Sequence, residues 1–113
     1  MSQHDDTVCL RHILNAAVGI QGYIAGMDEV GFGADTRTQD AVVKNLIVIG
    51  EAAGRVSEGF RAAHPDLPWR QMTGMPNILV HHYFGVNLTH VWETATGNLP
   101  SLAATVSRLL EHG

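Results

Sequence analysis

Two long apolar stripes at helical spacing constrain this chain more than any other feature. In "TQDAVVKNLIVIGEAAGRVSEGF", Val42, Leu46, Ile49, Ala53, Val56 and Phe60 recur at steps of four and three in strict alternation. That spacing keeps side chains on one face of an α-helix. Lys44, Glu51, Arg55 and Glu58 cluster on another face. In "DDTVCLRHILNAAVGIQGYIAGM", Cys9, Ile13, Ala16, Ile20, Tyr23 and Met27 repeat in the same way. A helix with one apolar face must bury it against another element. The spacing therefore predicts two long antiparallel helices, the second running through Phe60.

The punctuation between and after them fits further helices. Asp5, Asp6 and Thr7 offer N-caps to the first helix. Gly19, Gly22 and Gly26 either allow close helix approach or mark a weak C-terminal half. "GFGADTRT" reads as a loop, with Asp35, Thr36 or Thr38 capping the second helix. "HPDLP" ends that helix, because each proline disfavours helix at the residue before it. "PWRQMTG" predicts a short helical turn with Pro68 near its first position. Gly85 suits a helix end and Asn87 the next N-cap. "GNLP" breaks the chain again before a last amphipathic helix carrying Leu102, Val106, Leu109 and Leu110. No segment alternates like a strand between hairpin turns. The expected architecture is all-α, an antiparallel bundle of four to five helices in a single domain over residues 1–113.

Composition narrows the function classes. A chain of 113 residues with 45% hydrophobic and 16% charged residues can build one core. Its net charge is −4 and its pI about 5.9. A dedicated duplex-DNA binder would carry a basic stripe, so any nucleic-acid contact here must be local. Cys9, the only cysteine, excludes an intrachain disulfide and Cys-rich zinc modules, and reads as a small apolar helix residue. The start, "MSQHDDTVCL", lacks the basic and apolar regions of a signal peptide, and no apolar run reaches membrane-spanning length. A cytoplasmic protein with no membrane partner is expected.

The candidate chemistry lies in "GMPNILVHHYFGVN", residues 74–87. On a helix, Asn77 and His81 share a face, whereas His81 and His82 diverge by about 100°. The i,i+4 histidine pair of a helical zinc site is absent, so no metal is assigned. No phosphate-cradling glycine loop or Ser/His/Asp signature occurs, and no cofactor is expected. From these residues alone, His81 reads as a hydrogen-bonded structural residue before it reads as a catalyst. Trp69 and Trp92 read as core or interface anchors, and Glu51 as a solvated helix residue.

The same stretch resembles the signature of HepT-like proteins of the HEPN superfamily, the toxin components of HEPN–MNT toxin–antitoxin pairs. Their motif is arginine, four residues, histidine, any residue, tyrosine, often within "RN-x-L-x-H-x-Y-x-x-V-D". "PNILVHHYFGVN" matches at Asn77, Leu79, His81, Tyr83 and Val86. "DAVVKNLIVIGEAAGRVS", "PWRQMTGM" and "VWETATGNLPSL" are similar to the flanking parts, in order, over nearly the whole chain. Two positions depart: Pro76 stands where the family has arginine, and Asn87 where it usually has aspartate.

The resemblance implies metal-independent RNA cleavage. A 2′-hydroxyl attacks the adjacent phosphate, His81 relays the proton, and the arginine holds the phosphate and offsets its growing charge. Proline can do neither, so cleavage by this chain is expected to be weak, with Pro76 marking the missing group. Asn77, His82 and Tyr83 would lie beside the substrate, and Glu51 is a further candidate for the groove near His81. A local backbone break is expected around Gly74–Met75, with Pro76 opening a fresh turn.

The resemblance also implies a homodimer or larger assembly, as do Val43, Ile47 and Val48, which widen the apolar face of the second helix. Its implied partner is an MNT-type nucleotidyltransferase antitoxin. The alternative to an impaired ribonuclease is a non-catalytic dimeric partner of that antitoxin, with Tyr83 as the AMP acceptor. The bland reading is a structural bundle with His81 and Tyr83 merely packed.

Overall fold

The computed structural model describes residues 3–74 and 88–112, and all regular structure among them is helical. Helix α1 spans Gln3–Ile24 and α3 spans Thr36–Arg55. They form the principal packed pair, and α1 packs on its other flank against α7, Leu99–His112. The antiparallel sense of α1 and α3 is fixed at one end. Asp6, in the first turn of α1, bonds to Ser57, just past the end of α3.

The core follows the stripes closely. Ile13, Ala17, Ile20, Val42, Leu46, Ile49 and Ala53 are all buried in one cluster with Leu99, Leu102 and Val106. Complete burial of an Ile or Leu side chain contributes roughly 1.5–3 kcal/mol. Two positions of the first stripe depart: Met27 lies past the end of α1, and Tyr23 is 50% exposed, with Ile24 buried in its place. A strict four-three repeat averages 3.5 residues per turn, whereas a straight helix has 3.6. By the last turn of α1 the buried line has moved to the later residue.

The N-terminal caps differ from expectation. Helix α1 already includes Asp5, Asp6 and Thr7, so none of them is its N-cap. At its other end Gly26 adopts φ +79°, the left-handed conformation that glycine adopts without a side-chain penalty. A Cβ at Gly22 would meet nothing within 4 Å, and one at Gly19 only ordinary contacts. These glycines mark a weak helix end rather than a close helix crossing.

The expected loop before α3 contains a short helix, α2, Glu29–Gly33. Asp28 caps it, accepting from the Gly31 amide at 2.7 Å, and Phe32 anchors it in the core. Asp35 then caps α3 as expected, accepting from the Thr38 amide at 3.1 Å and the Thr38 hydroxyl at 2.8 Å.

Helix α3 stops at Arg55 instead of running through Phe60. Val56 and Ser57 are extended, and α4 spans Glu58–Ala63 with Ser57 as its N-cap. The Ser57 hydroxyl accepts from the Phe60 amide at 3.2 Å. A turn over 64–67 then leads to α5, helical over 69–74. Pro68 sits one position earlier than expected, its carbonyl accepting the first α5 bond from the Met72 amide.

Nor does "GNLP" interrupt the last helix. Helix α6, Leu88–Glu93, passes through a π-turn over Thr94–Asn98 directly into α7. The Leu99 amide reaches back to the Thr94 carbonyl, an i→i−5 bond. Proline lacks an amide and clashes with the carbonyl four residues earlier. The wider π-turn just ahead of Pro100 lets the backbone stay helical. Thr94 and Thr96 hydroxyls donate to the His90 and Trp92 carbonyls at 2.9 and 2.8 Å through the same stretch.

Val43, Ile47 and Val48 are partly buried against the chain's own core. Among the described residues the exposed large apolar side chains are Val8, Val18, Tyr23 and Val30.

Candidate functional site

The motif positions Pro76, Asn77, His81, His82 and Tyr83 lie outside the described residues, as do Gly85 and Asn87. The two helices that lead into and out of them are described. Helix α5 is held from below by Met72, fully buried, and by Leu67 in the turn before it. Trp69 fixes its start: the indole N–H donates to the His64 carbonyl at 2.8 Å. The Phe60 ring meets Trp69 edge-on at 6.3 Å and stacks on His64 at 4.3 Å. On the far side, α6 is seated by Val91 in the core and by Trp92 against Phe32, at 5.3 Å. Both tryptophans are thus packing anchors. Gly74 retains helical backbone, while Met75, the other half of the expected break, lies outside the described residues.

Helices α4 and α5 enclose an open cleft of about 500 Å³. Glu58, Arg61 and Ala62 line one wall, and Trp69, Arg70 and Thr73 the other. Neither arginine side chain forms an ion pair or hydrogen bond with a described residue, and the Arg61 Nε is buried without a hydrogen-bond partner among them. A buried donor left unpaired is costly, by about 1–3 kcal/mol and more when charged. The cleft therefore presents two cations, one carboxylate and an indole wall.

A second hollow of about 300 Å³ lies between the 66–71 region and the π-turn. Its polar lining includes Asp66, Gln71, Asn98, Ser101 and Thr105, with no arginine.

Sequence reading passed over Arg61 and Arg70. They stand nine residues apart across a turn, and no helical or strand period relates them. Only the break before α4 and the turn after it bring both to one cleft. Glu51 is exposed on α3, as a solvated helix residue should be. Cys9 is free and buried on α1, and burial, with Asp6 nearby, pushes its thiol pKa up. That favours an inert packed thiol over a nucleophile.

Comparison with known proteins gives a consistent picture. A family model described as "Ribonuclease HepT-like" matches residues 13–109. A Thermococcus cleftensis protein named "Probable ribonuclease HepT" is 40% identical over 78 residues, covering 69% of this chain and 71% of that one. A candidate RNase of Caldanaerobacter subterraneus subsp. tengcongensis is 34% identical over 102 residues, covering 90% and 91%. A candidate RNase of Methanocaldococcus jannaschii is 31% identical over 106 residues, covering 94% and 97%. No solved structure matches the chain.

Proposed function

Since this chain belongs to the ribonuclease HepT-like family, we propose that it is the toxin component of a HEPN–MNT pair, an endoribonuclease of impaired activity that forms one domain. The observation that carries this reading is the match over residues 13–109, a range that contains "NILVHHY". In the proposed reaction a ribose 2′-hydroxyl loses its proton to His81 and attacks the adjacent phosphorus. The 5′-oxygen leaves as the new P–O bond closes a 2′,3′-cyclic phosphate, and a proton returns to that oxygen. No metal is required, because charge on the phosphoryl oxygens can be met by a guanidinium.

Pro76 removes that guanidinium. Loss of one pre-organised charge contact in such a site typically lowers the rate by ~10²–10³. The reading is tested with purified protein and single-stranded RNA. The natural chain should cut slowly, Pro76→Arg should cut faster by about that factor, and adding His81→Ala should abolish the gain. Robust cleavage by the natural chain would falsify the impairment. A folded Pro76→Arg protein inert toward RNA would remove the nuclease reading.

A second reading is favoured by Pro76 itself, which spares Tyr83. In it the chain acts as a dimeric, non-catalytic partner of an MNT-type nucleotidyltransferase. The Tyr83 hydroxyl attacks the α-phosphorus of ATP, giving AMP-tyrosine and pyrophosphate. Sedimentation at micromolar concentration tests the dimer, and a monomer there would count against this second reading.

A further inference from the structure

We propose that the cleft between α4 and α5 is a binding trough for the phosphate backbone of single-stranded RNA, with Arg61 and Arg70 as its phosphate ligands. This inference rests on the ribonuclease reading and extends it to residues outside the motif. The chain has only seven Lys and Arg residues and a net charge of −4, so it offers no general attraction for RNA. Two of those seven converge on one cleft, and neither is paired with a described carboxylate.

The buried, unpartnered Arg61 Nε is the sharper sign. Nothing within the described chain compensates that donor, so the half-buried Arg61 guanidinium, which lines the cleft, is not committed to an internal partner. The planar guanidinium fork suits phosphate better than a point charge does. The cleft is shallow and open to solvent, which suits a polymer backbone better than a small molecule needing enclosure. Trp69 serves as a wall, since its indole N–H is committed to the His64 carbonyl.

Position gives the trough its use. Thr73 lines it and stands three residues before Pro76, at most about 11 Å of chain whatever path the backbone takes. A strand held by Arg61 and Arg70 lies within a short reach of the segment that carries the motif. The trough thereby supplies phosphate contacts in a chain whose motif has lost its own cation. Glu58 opposes it, lining the same cleft with a negative charge.

The test is fluorescence anisotropy of a labelled short single-stranded RNA, titrated with the full chain over a range of salt concentrations. Each lost phosphate contact lowers the slope of log K against log salt by about 0.7 for a single strand. Arg70→Gln should therefore lower the slope by about 0.7 and weaken binding by about tenfold. Arg61→Gln with Arg70→Gln should lower it by about 1.4. Arg70 is exposed, so its single variant carries the test even where loss of Arg61 disturbs folding. Glu58→Gln should tighten binding. Arg37→Gln, the same charge change at the far end of α3, should leave the slope unaltered. If the natural chain binds RNA and Arg70→Gln behaves like Arg37→Gln, the trough is wrong and the ribonuclease reading stands. If the natural chain binds no RNA at low salt and Pro76→Arg does not cut it, both fall.

Discussion

The Asp6 carboxylate, in the first turn of α1, accepts from the amide of Ser57 at 2.9 Å and from its hydroxyl at 2.7 Å, across 51 residues of sequence. Ser57 in turn caps α4. One buried carboxylate thus fixes where α3 ends, how α4 begins and which way α1 runs. Asp6→Ala should destabilise the protein by about 2–3 kcal/mol, because it leaves the Ser57 amide unpaired. Urea denaturation measures this, and a change below ~0.5 kcal/mol would show that water replaces the carboxylate without loss.

Position 76 should discriminate between cations. Pro76→Lys restores a backbone amide and a positive charge without the planar fork, so its RNA cleavage should fall between those of the natural chain and Pro76→Arg. Equal rescue by lysine and arginine would mean that charge alone is needed. In the partner reading, labelled AMP from ATP should be transferred to the natural chain by a cognate nucleotidyltransferase and not to Tyr83→Phe.

Met72, on α5, is fully buried. Met72→Ala should lower stability by about 2–5 kcal/mol through lost burial and the cavity left behind. Because α5 leads directly into the motif, the same change in a Pro76→Arg background should lower cleavage even at temperatures where the protein remains folded. Undiminished activity of the folded double variant would show that the seat of α5 does not govern the motif.

Pro100 sits in a helix at little cost because the π-turn precedes it. Pro100→Ala should change stability by less than ~1 kcal/mol, well short of the ~3 kcal/mol of a proline in a regular helix interior. A gain near the larger figure would mean that the π-turn does not relieve the proline.

Hydrogen bonds from Thr38, the amide foremost, hold the Asp35 carboxyl pKa below its ordinary value. A depressed folded-state pKa stabilises the fold above the unfolded value, near 3.9, and that contribution is lost as pH falls through the folded value. Asparagine caps about as well but does not titrate. Acid unfolding of Asp35→Asn, followed by circular dichroism below about pH 4, should therefore be less steep than that of the natural chain. Superimposable acid transitions would show that this cap contributes nothing to acid sensitivity.

Much of the helical framework was legible in local sequence. The stripes of α1 and α3, the Asp35 cap and the amphipathic last helix each depend on residues within a few turns, and periodicity reads such relations directly. The two corrections to helix length had causes that no local window contains. The apolar steps run without interruption through Val56 to Phe60, yet the backbone breaks between them because Asp6 waits there from the other end of the bundle. "GNLP" carries strong breaking signals, yet the chain stays helical because a π-turn absorbs the proline.

The sequence by itself determined an all-helical chain and the family to which it belongs, and it supplied Pro76, His81 and Tyr83 as the positions on which the proposed chemistry rests. These follow from residue identity and near-neighbour spacing, which the linear chain states outright. Tertiary structure alone decided that Arg61 and Arg70 share a cleft, that Trp69 is a wall, and that Ile24 rather than Tyr23 is buried. Those outcomes depend on which helix meets which face. That is set by burial summed over the whole core and by bonds, such as Asp6 to Ser57, between residues that sequence keeps far apart.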